Sequence, residues 1–345
     1  MNSDSRYQKQ ILFDGVGQAG QQALAERRVL LVGCGALGCV LADALTRAGV
    51  GFLRIVDRDF VELSNLQRQT LFTEDDVTAH LPKAIAAVNR LQRINSSIEI
   101  EPIVADADFN NVRGFAEGVD LIMDGTDNFE IRYLINDVSL ETGIPWIFTG
   151  CTGSHGQMMP VIPGRTACLR CLMQNPPPPG STETCDTAGV LGPAIGVIAS
   201  LQAAMALKIL TGHKDAVPQQ LTIVDVWNLS FRQMDVSKLR ESTECPACKK
   251  GERLWLDGAQ SAGSTILCGR NAVQISPPEK TRLSLPELAK RLESAGVVTS
   301  NPFLVRVAVA ESDLEVTVFP DGRAIVKGTE DPAAARAIYS RYVGT

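Results

Sequence analysis

The sequence predicts an α/β protein: a Rossmann-like, doubly wound, mostly parallel sheet, followed by a small C-terminal α+β domain. Three observations carry this. A strand at 29–32, a glycine loop, a helix and a second strand ending at Asp57 follow one another without a break; strand-like and helix-like stretches alternate as far as Thr149; and a separate set of short strands and helices begins after a polar gap beyond residue 250. The first of these is a mononucleotide-binding βαβ unit. In Gly33-Cys34-Gly35-Ala36-Leu37-Gly38 the glycines let the backbone approach phosphate, and the helix that follows presents its N-terminus to that charge. Asp57 lies about 20 residues beyond the last glycine, where such folds place an acid on the ribose hydroxyls. Ser64-Asn65-Leu66-Gln67-Arg68 comes next and supplies an amide and a guanidinium. A hydride-transfer enzyme has no need of cations there, whereas a triphosphate does.

The other elements follow in order. Residues 1–28 are polar and helical in part, with 6–12 the only patterned piece. Lys83 opens a helix to about Asn95, 98–104 alternates as a third strand, and 121–123 is a fourth that ends in Asp124-Gly125-Thr126-Asp127-Asn128. A helix over 132–142 and a strand over 146–149 complete the β-α alternation. Ligands of such sheets sit beyond the carboxyl ends of strands, and Gly33, Asp57, Asp127 and Gly150 all fall there.

A chain of 345 residues, 45% hydrophobic, has apolar material for one large α/β domain and a smaller one. The net charge of -6 argues against a nucleic-acid surface, which calls for a basic face. No leader segment opens the chain and no apolar run is read as reaching the roughly 18 residues of a membrane span, so the expected location is cytoplasmic, with no membrane partner. In that reducing compartment Cys168-x-x-Cys171 and Cys245-x-x-Cys248 read as metal ligands, two knuckles forming a closed tetrahedral zinc site that is structural. The other reading is two unrelated buried pairs. Cys34, Cys39 and Cys151 read as small buried residues.

Arg6-Tyr7-x-x-Gln10, the glycine loop, Asp57-x-Asp59, Ser64-Asn65-Leu66-Gln67-Arg68-Gln69, Pro82-Lys83, Thr126-Asp127-Asn128, the two cysteine pairs, and Thr184-Cys185 ahead of Ala188-Gly189-Val190 stand in unbroken order over 6–250. In this the chain resembles the ThiF/MoeB/HesA family. The resemblance implies an adenylyltransferase that uses ATP and magnesium to activate the C-terminal glycine of a ubiquitin-like sulfur-carrier protein ending in Gly-Gly. It also implies a homodimer, with a sulfurtransferase or cysteine desulfurase as a further partner. Adenylation brings a carboxylate up to an α-phosphate of like charge, so the site needs fixed cations and a metal. Arg68 and Lys83 are assigned to the phosphates, Asn65 to a directed hydrogen bond, Asp127 to magnesium and Asp57 to the ribose, with Gly33, Gly35, Ala36, Gly38, Asp59, Ser64, Leu66, Gln67 and Asn128 completing the nucleotide site. Singly, each has a plainer reading: Lys83 as a surface lysine, Arg68 as a structural ion-pair partner, Asp127 and Asn128 as helix caps.

The chain departs from the family in three places. Lys9 stands where relatives supply an arginine from the other subunit, keeping charge but losing the bidentate fork. Ala36 stands where glycine is usual, and His80 where relatives often carry glycine. The resemblance makes Cys185 the reactive cysteine, a role to set beside that of a structural thiol. The proline-rich stretch 175–181 reads as an exposed crossing loop.

Residues 251–263 read as a linker and 264–345 as an α+β domain of unassigned role. There 266–275 is strand-like apart from Cys268-Gly269, Ser284-x-x-Glu287 reads as a capping box opening a helix that stops at Gly296, 303–309 and 315–319 alternate as strands, Asp321-Gly322 is a hairpin turn, and Asp331-Pro332 starts a last helix. Two other function classes remain open on sequence: an NAD-dependent oxidoreductase sharing the glycine loop, and a non-catalytic zinc-containing scaffold.

Overall fold

The structure, a computed structural model, describes residues 3–177, 185–259, 264–267, 271–277, 283–310 and 312–344. They fall into two units, Met1–Gln260 and Ser261–Thr345. Thr184, Cys268, Gly269, residues 178–181 of the proline-rich loop and residues 260–263 of the expected linker lie outside the described residues.

The strands of the first unit are β1 (Arg28–Val32), β2 (Phe52–Asp57), β3 (Glu99–Val104), β4 (Leu121–Asp124), β5 (Trp146–Thr152), β6 (His155–Val161), β7 (Gln220–Asp225) and β8 (Ser230–Asp235). Its helices are α1 (Ser3–Ile11), α2 (Gly17–Glu26), α3 (Ala36–Ala48), α4 (Glu74–Thr78), α5 (Lys83–Ile94), α6 (Val112–Ala116), α7 (Phe129–Thr142), α8 (Leu169–Leu172), α9 (Cys185–Ala188), α10 (Gly192–Leu210) and α11 (Leu239–Ser242). They build one sheet in the order β3-β2-β1-β4-β5-β6-β7-β8. The first five strands in that order pair in parallel; β6, β7 and β8 add antiparallel. β1 can sit centrally because Val29, Leu30, Leu31 and Val32 are apolar on both faces, as a strand covered by helices on either side requires. One face packs Leu41, Leu45, Leu91 and Ile198 from α3, α5 and α10, and the other packs Tyr133, Trp146, Phe148 and Trp255. α3 ends where Gly49 turns through φ +82° and its amide bonds back to Leu45 and Thr46.

Three expectations for the first unit need correction. Residues 251–259 are not a linker: Trp255 and Leu256 are buried in the first unit, held by their amides on Asp137 Oδ2 at 3.1 and 3.5 Å. Gly150 lies inside β5, because the strand runs on to Thr152 to pair with β6. α10 is an apolar helix of 19 residues, long enough by length and composition to cross a bilayer. Half of that stretch is nonetheless buried against the sheet, and Gln202 within it donates to the carbonyls of Asp124 (3.0 Å) and Ile147 (3.2 Å), as in a core helix.

The second unit holds β9 (Ser264–Leu267), β10 (Ala272–Ile275), α12 (Leu285–Leu292), β11 (Gly296–Asn301), β12 (Leu304–Val309), β13 (Glu315–Val318), β14 (Ala324–Lys327) and α13 (Pro332–Tyr342). Its sheet, ordered β11-β12-β13-β14-β10-β9, is antiparallel at every pairing. Asp321-Gly322 turns β13 into β14, and Asp331 caps α13 by accepting from Ala333 N at 2.8 Å. Ser284 precedes α12 without a side-chain cap bond, so the expected capping box does not form. That helix stops at Leu292, and Gly296 opens β11 instead.

Candidate active site

Gly33, Asp57 and Gly125 meet at the carboxyl edge of the sheet, because Val32 lies level with Val56 on one side and Asp124 on the other. Three glycines there brace one another. A Cβ on Gly38 would stand 2.2 Å from Gly33 O, one on Gly125 2.3 Å from Gly33 O, and one on Gly33, at φ +86°, 2.8 Å from Gly125 O. Gly35 differs: nothing lies nearer than 4.0 Å to its Cβ position. It is the N-cap of α3 and makes no side-chain cap bond, so the amides of the first turn, beginning with Ala36, are available to an anion.

Asp57 is buried, and its two carboxylate oxygens accept from Cys34 N (2.6 Å) and Asp59 N (2.7 Å), which clamps the glycine loop. Burial pushes its carboxyl up and the Lys83 charge pulls it back. Lone pairs remain on both oxygens for a ribose hydroxyl. Lys83 is no surface lysine: it is 3% exposed, its amide donates to Asp59 O (2.9 Å) and its Nζ to Asp59 Oδ2 (3.1 Å). Asp59 thus aims the lysine. Asn65 is buried in a tight turn, where its Oδ1 accepts from Glu62 N at 3.2 Å. Ser64 and Gln67 are exposed beside it, and Leu66 is half-buried on the core. Arg68 donates to Ser64 O at 3.1 Å and has no carboxylate partner among the described residues.

Asn128 caps α7 by accepting from Glu130 N at 2.8 Å. Asp127 is left exposed and takes no part in that cap, and its charge reaches Arg58. Sequence reading missed two groups here. Asp124, fully buried, accepts from Thr126 N and Oγ1 (3.0 and 2.7 Å), Arg132 Nε (3.2 Å) and Thr149 N (3.3 Å), fixing the loop that carries Asp127. Burial pushes its carboxyl up against the pull of Arg132. Arg58, paired with Asp106 at 3.1 Å, is the other. The only signal for either was a charge beside a strand end, which counts for little until the sheet order is known.

One predicted residue is not brought to this edge. Lys9 is exposed on α1, whose Tyr7 packs at Gly49 and accepts from Asn95 at 2.8 Å, the C-terminal ends of α3 and α5. With a rise of 1.5 Å per residue, α3 separates that point from the glycine loop by about 20 Å. Cys185 is the first residue of α9, and its side chain lies outside the described residues.

The sulfurs of Cys168, Cys171, Cys245 and Cys248 lie within 4.8 Å of one another, with Cys168–Cys171 at 3.7, Cys168–Cys245 at 3.6 and Cys171–Cys248 at 3.4 Å. Zinc–thiolate bonds of about 2.3 Å in a tetrahedron require sulfur separations of about 3.8 Å, so the four fit a closed metal site. Hydrogen bonds from the neighbouring thiols bring Cys248 down to about 7 and push Cys168 up.

The glycine loop, the clamped acid and the aimed lysine at one sheet edge define a nucleotide-binding α/β protein with a four-cysteine cluster. The family model for the ThiF family matches residues 7–247, and the chain belongs to that family. It is 40% identical over 340 residues, 98% of this chain and 99% of the other, to a Bacillus subtilis (strain 168) protein named sulfur carrier protein ThiS adenylyltransferase. A Thermus thermophilus sulfur carrier protein adenylyltransferase is 38% identical over 248 residues, 70% of this chain and 90% of that one. Among solved structures, Escherichia coli MccB bound to MccA-N7isoASN superposes with TM-score 0.63 at 21% identity over 72% of this chain and 75% of its own, a likeness of fold alone.

Proposed function

We propose that this protein adenylates the C-terminal glycine of a ubiquitin-like, ThiS/MoaD-like sulfur carrier at the expense of ATP, releasing pyrophosphate, in thiamine, molybdopterin or a related sulfur-transfer route. The observation that carries this is the end-to-end likeness to a chain of that name, and the site supports it residue by residue. The carrier carboxylate attacks the α-phosphorus, its oxygen gains the P–O bond, and the bond to the leaving pyrophosphate breaks. Lys83, aimed by Asp59, and Arg68, without a carboxylate partner among the described residues, offset the charge that the leaving group carries. Asn65 directs a hydrogen bond, Asp57 holds the ribose, and the amides at Gly35 and Ala36 take phosphate. Asp127 is the residue to hold magnesium, which would neutralise phosphate charge when bound; a metal of this kind takes one or two carboxylates and substrate oxygens. The four cysteines hold zinc as a structural staple. The position of Lys9, remote from its own chain's glycine loop, suits a contact made in trans within a homodimer, and Cys185 handles the activated glycine or sulfur.

The test is ATP–pyrophosphate exchange with Gly-Gly-ending carriers. Exchange should require the carrier and fall by about 100-fold or more in Arg68→Ala and Asp127→Ala. Its absence with every such carrier would sink the reading.

A further inference from the structure

Gly150 belongs to β5 and stands beyond the end of β4, whose last residue, Asp124, accepts from Thr149 N at 3.3 Å. The nearest atoms to a Cβ placed on Gly150 are all nitrogen donors: Gln157 Nε2 at 3.5 Å, and Arg132 Nη1 and Nη2 at 3.6 Å. Gln157 faces Gly150 across β5 and β6, is half-buried, and its carboxamide has no partner among the described residues. Arg132 is 5% exposed and firmly held, with Nε on Asp124 Oδ2 at 3.2 Å, Nη2 on Thr126 O at 2.8 Å, and its guanidinium carbon over the rings of Phe129 and Phe148 at 5.3 and 5.7 Å. Its Nη1 is left with no hydrogen-bond partner among the described residues. A guanidinium nitrogen so enclosed and unsatisfied calls for an acceptor from outside the chain. Buried Asp124 already meets the charge of Arg132, so a neutral carbonyl oxygen suits the place better than a second anion.

The order of the strands says whose carbonyl. Asp57 at the end of β2 is assigned the ribose and the loop after β1 the phosphates, and along the same edge β4 and then β5 follow on the side away from the ribose. We propose that Gly150 is the floor on which the carrier's C-terminal tail lies, with Arg132 Nη1 and Gln157 Nε2 donating to a main-chain carbonyl next to the terminal glycine. The substrate class rests on the adenylyltransferase reading. A Gly-Gly tail has no side chains to hold clear of the sheet, and a floor without a Cβ lets backbone lie on backbone. The grip falls on the peptide carbonyl, which leaves the terminal carboxylate free to attack.

The experiment is ATP–pyrophosphate exchange by the full-length protein titrated with a Gly-Gly-ending carrier, alongside calorimetric titration with ATP alone and thermal unfolding. In Gly150→Ala the new methyl meets its neighbours at ordinary contact distances, so the variant should melt and bind ATP like the wild type. Its KM for the carrier should rise about tenfold, with saturating carrier restoring the rate. Gln157→Leu removes one donor at similar size and should show the same split between carrier and ATP. A carrier KM that stays at the wild-type value in both variants overturns the proposal, and so does an equal loss of carrier KM and ATP affinity, which would mark a disturbed nucleotide site. Should Gly150→Ala fail to fold, Gln157→Leu decides alone. A wild-type protein that shows no exchange with any such carrier would overturn the adenylyltransferase reading itself, and this role with it; exchange that is present and unaltered in the variants sinks this role only.

Discussion

At position 80 the chain turns through φ +48°, the left-handed region that costs a side chain with a Cβ. This is where the family resemblance places glycine, so His80 bears a backbone strain that glycine would not. Glycine would relieve that strain but would also loosen the unfolded chain, and the two effects nearly cancel. His80→Gly should therefore leave the urea-derived stability within about 1 kcal/mol, while β-branched His80→Val should cost about 1–3 kcal/mol. Equal stability for the two variants would show that the turn is not strained. Asp137 makes a second residue-scale case. Burial pushes its carboxyl from 3.8 to about 6, although Trp255 N and Leu256 N donate to it. Since the folded value lies above the unfolded one, the native state binds the extra proton between about pH 4 and 6. This group's contribution is full below that window and is lost as pH rises through 6. Asp137→Asn keeps an acceptor for the two amides and has no proton to lose. Urea midpoints at pH 4.5 and 7.5 should show the variant gaining on the wild type at the higher pH; parallel behaviour would remove Asp137 as the cause.

The glycine loop shows, at the scale of an element, what the sequence made legible and what it hid. Four positions, Gly33, Gly35, Ala36 and Gly38, read alike as phosphate contacts, yet they divide into a brace and an opening. A methyl on Gly38 would drive into Gly33 O at 2.2 Å, backbone that cannot swing aside, whereas one on Gly35 meets nothing nearer than 4.0 Å. Gly38→Ala should lower the unfolding midpoint by several degrees, about 1–3 kcal/mol, by prising α3 off β1. Gly35→Ala should melt like the wild type and bind ATP at least tenfold more weakly, the methyl occupying the phosphate's approach. If Gly35→Ala bound ATP normally, phosphate would not lie over that residue. The parallel half of the sheet was legible because its strands are short apolar runs between helices of clear period. β6 was not, since His155-Gly156-Gln157-Met158-Met159-Pro160-Val161 does not alternate and carries a proline; nor was β8, whose six residues are all exposed or half-exposed. Lys83 and its partner Asp59 both stand in recognisable motifs, but the bond between them needed the fold. The Asp124–Arg132 pair had no sequence signal strong enough to mark it.

At the scale of the molecule, the four-cysteine cluster joins segments 77 residues apart and packs next to Trp255, whose ring lies 4.4 Å from Tyr133 and 5.2 Å from Arg170. Closing a loop of that length removes about 4 kcal/mol of chain entropy from the unfolded state, so a bound metal acts as a staple on the first unit. The second unit owns a separate core, Val305, Val307, Val316, Val318 and Val326 among it, with none of these cysteines. All three tryptophans, Trp146, Trp227 and Trp255, belong to the first unit. With zinc in the cluster, as proposed, stripping it with a chelator should lower the denaturation midpoint followed by tryptophan emission. Amide-exchange protection should fall in 166–173 and 244–256 and persist in β12 and β13. This pattern separates a staple from a catalytic ion, because ATP–pyrophosphate exchange at low temperature, with magnesium restored, should return before any zinc is added back to the still-folded protein. Were exchange instead to stay absent until zinc returned, the cluster would govern the active-site geometry and the structural assignment would be wrong.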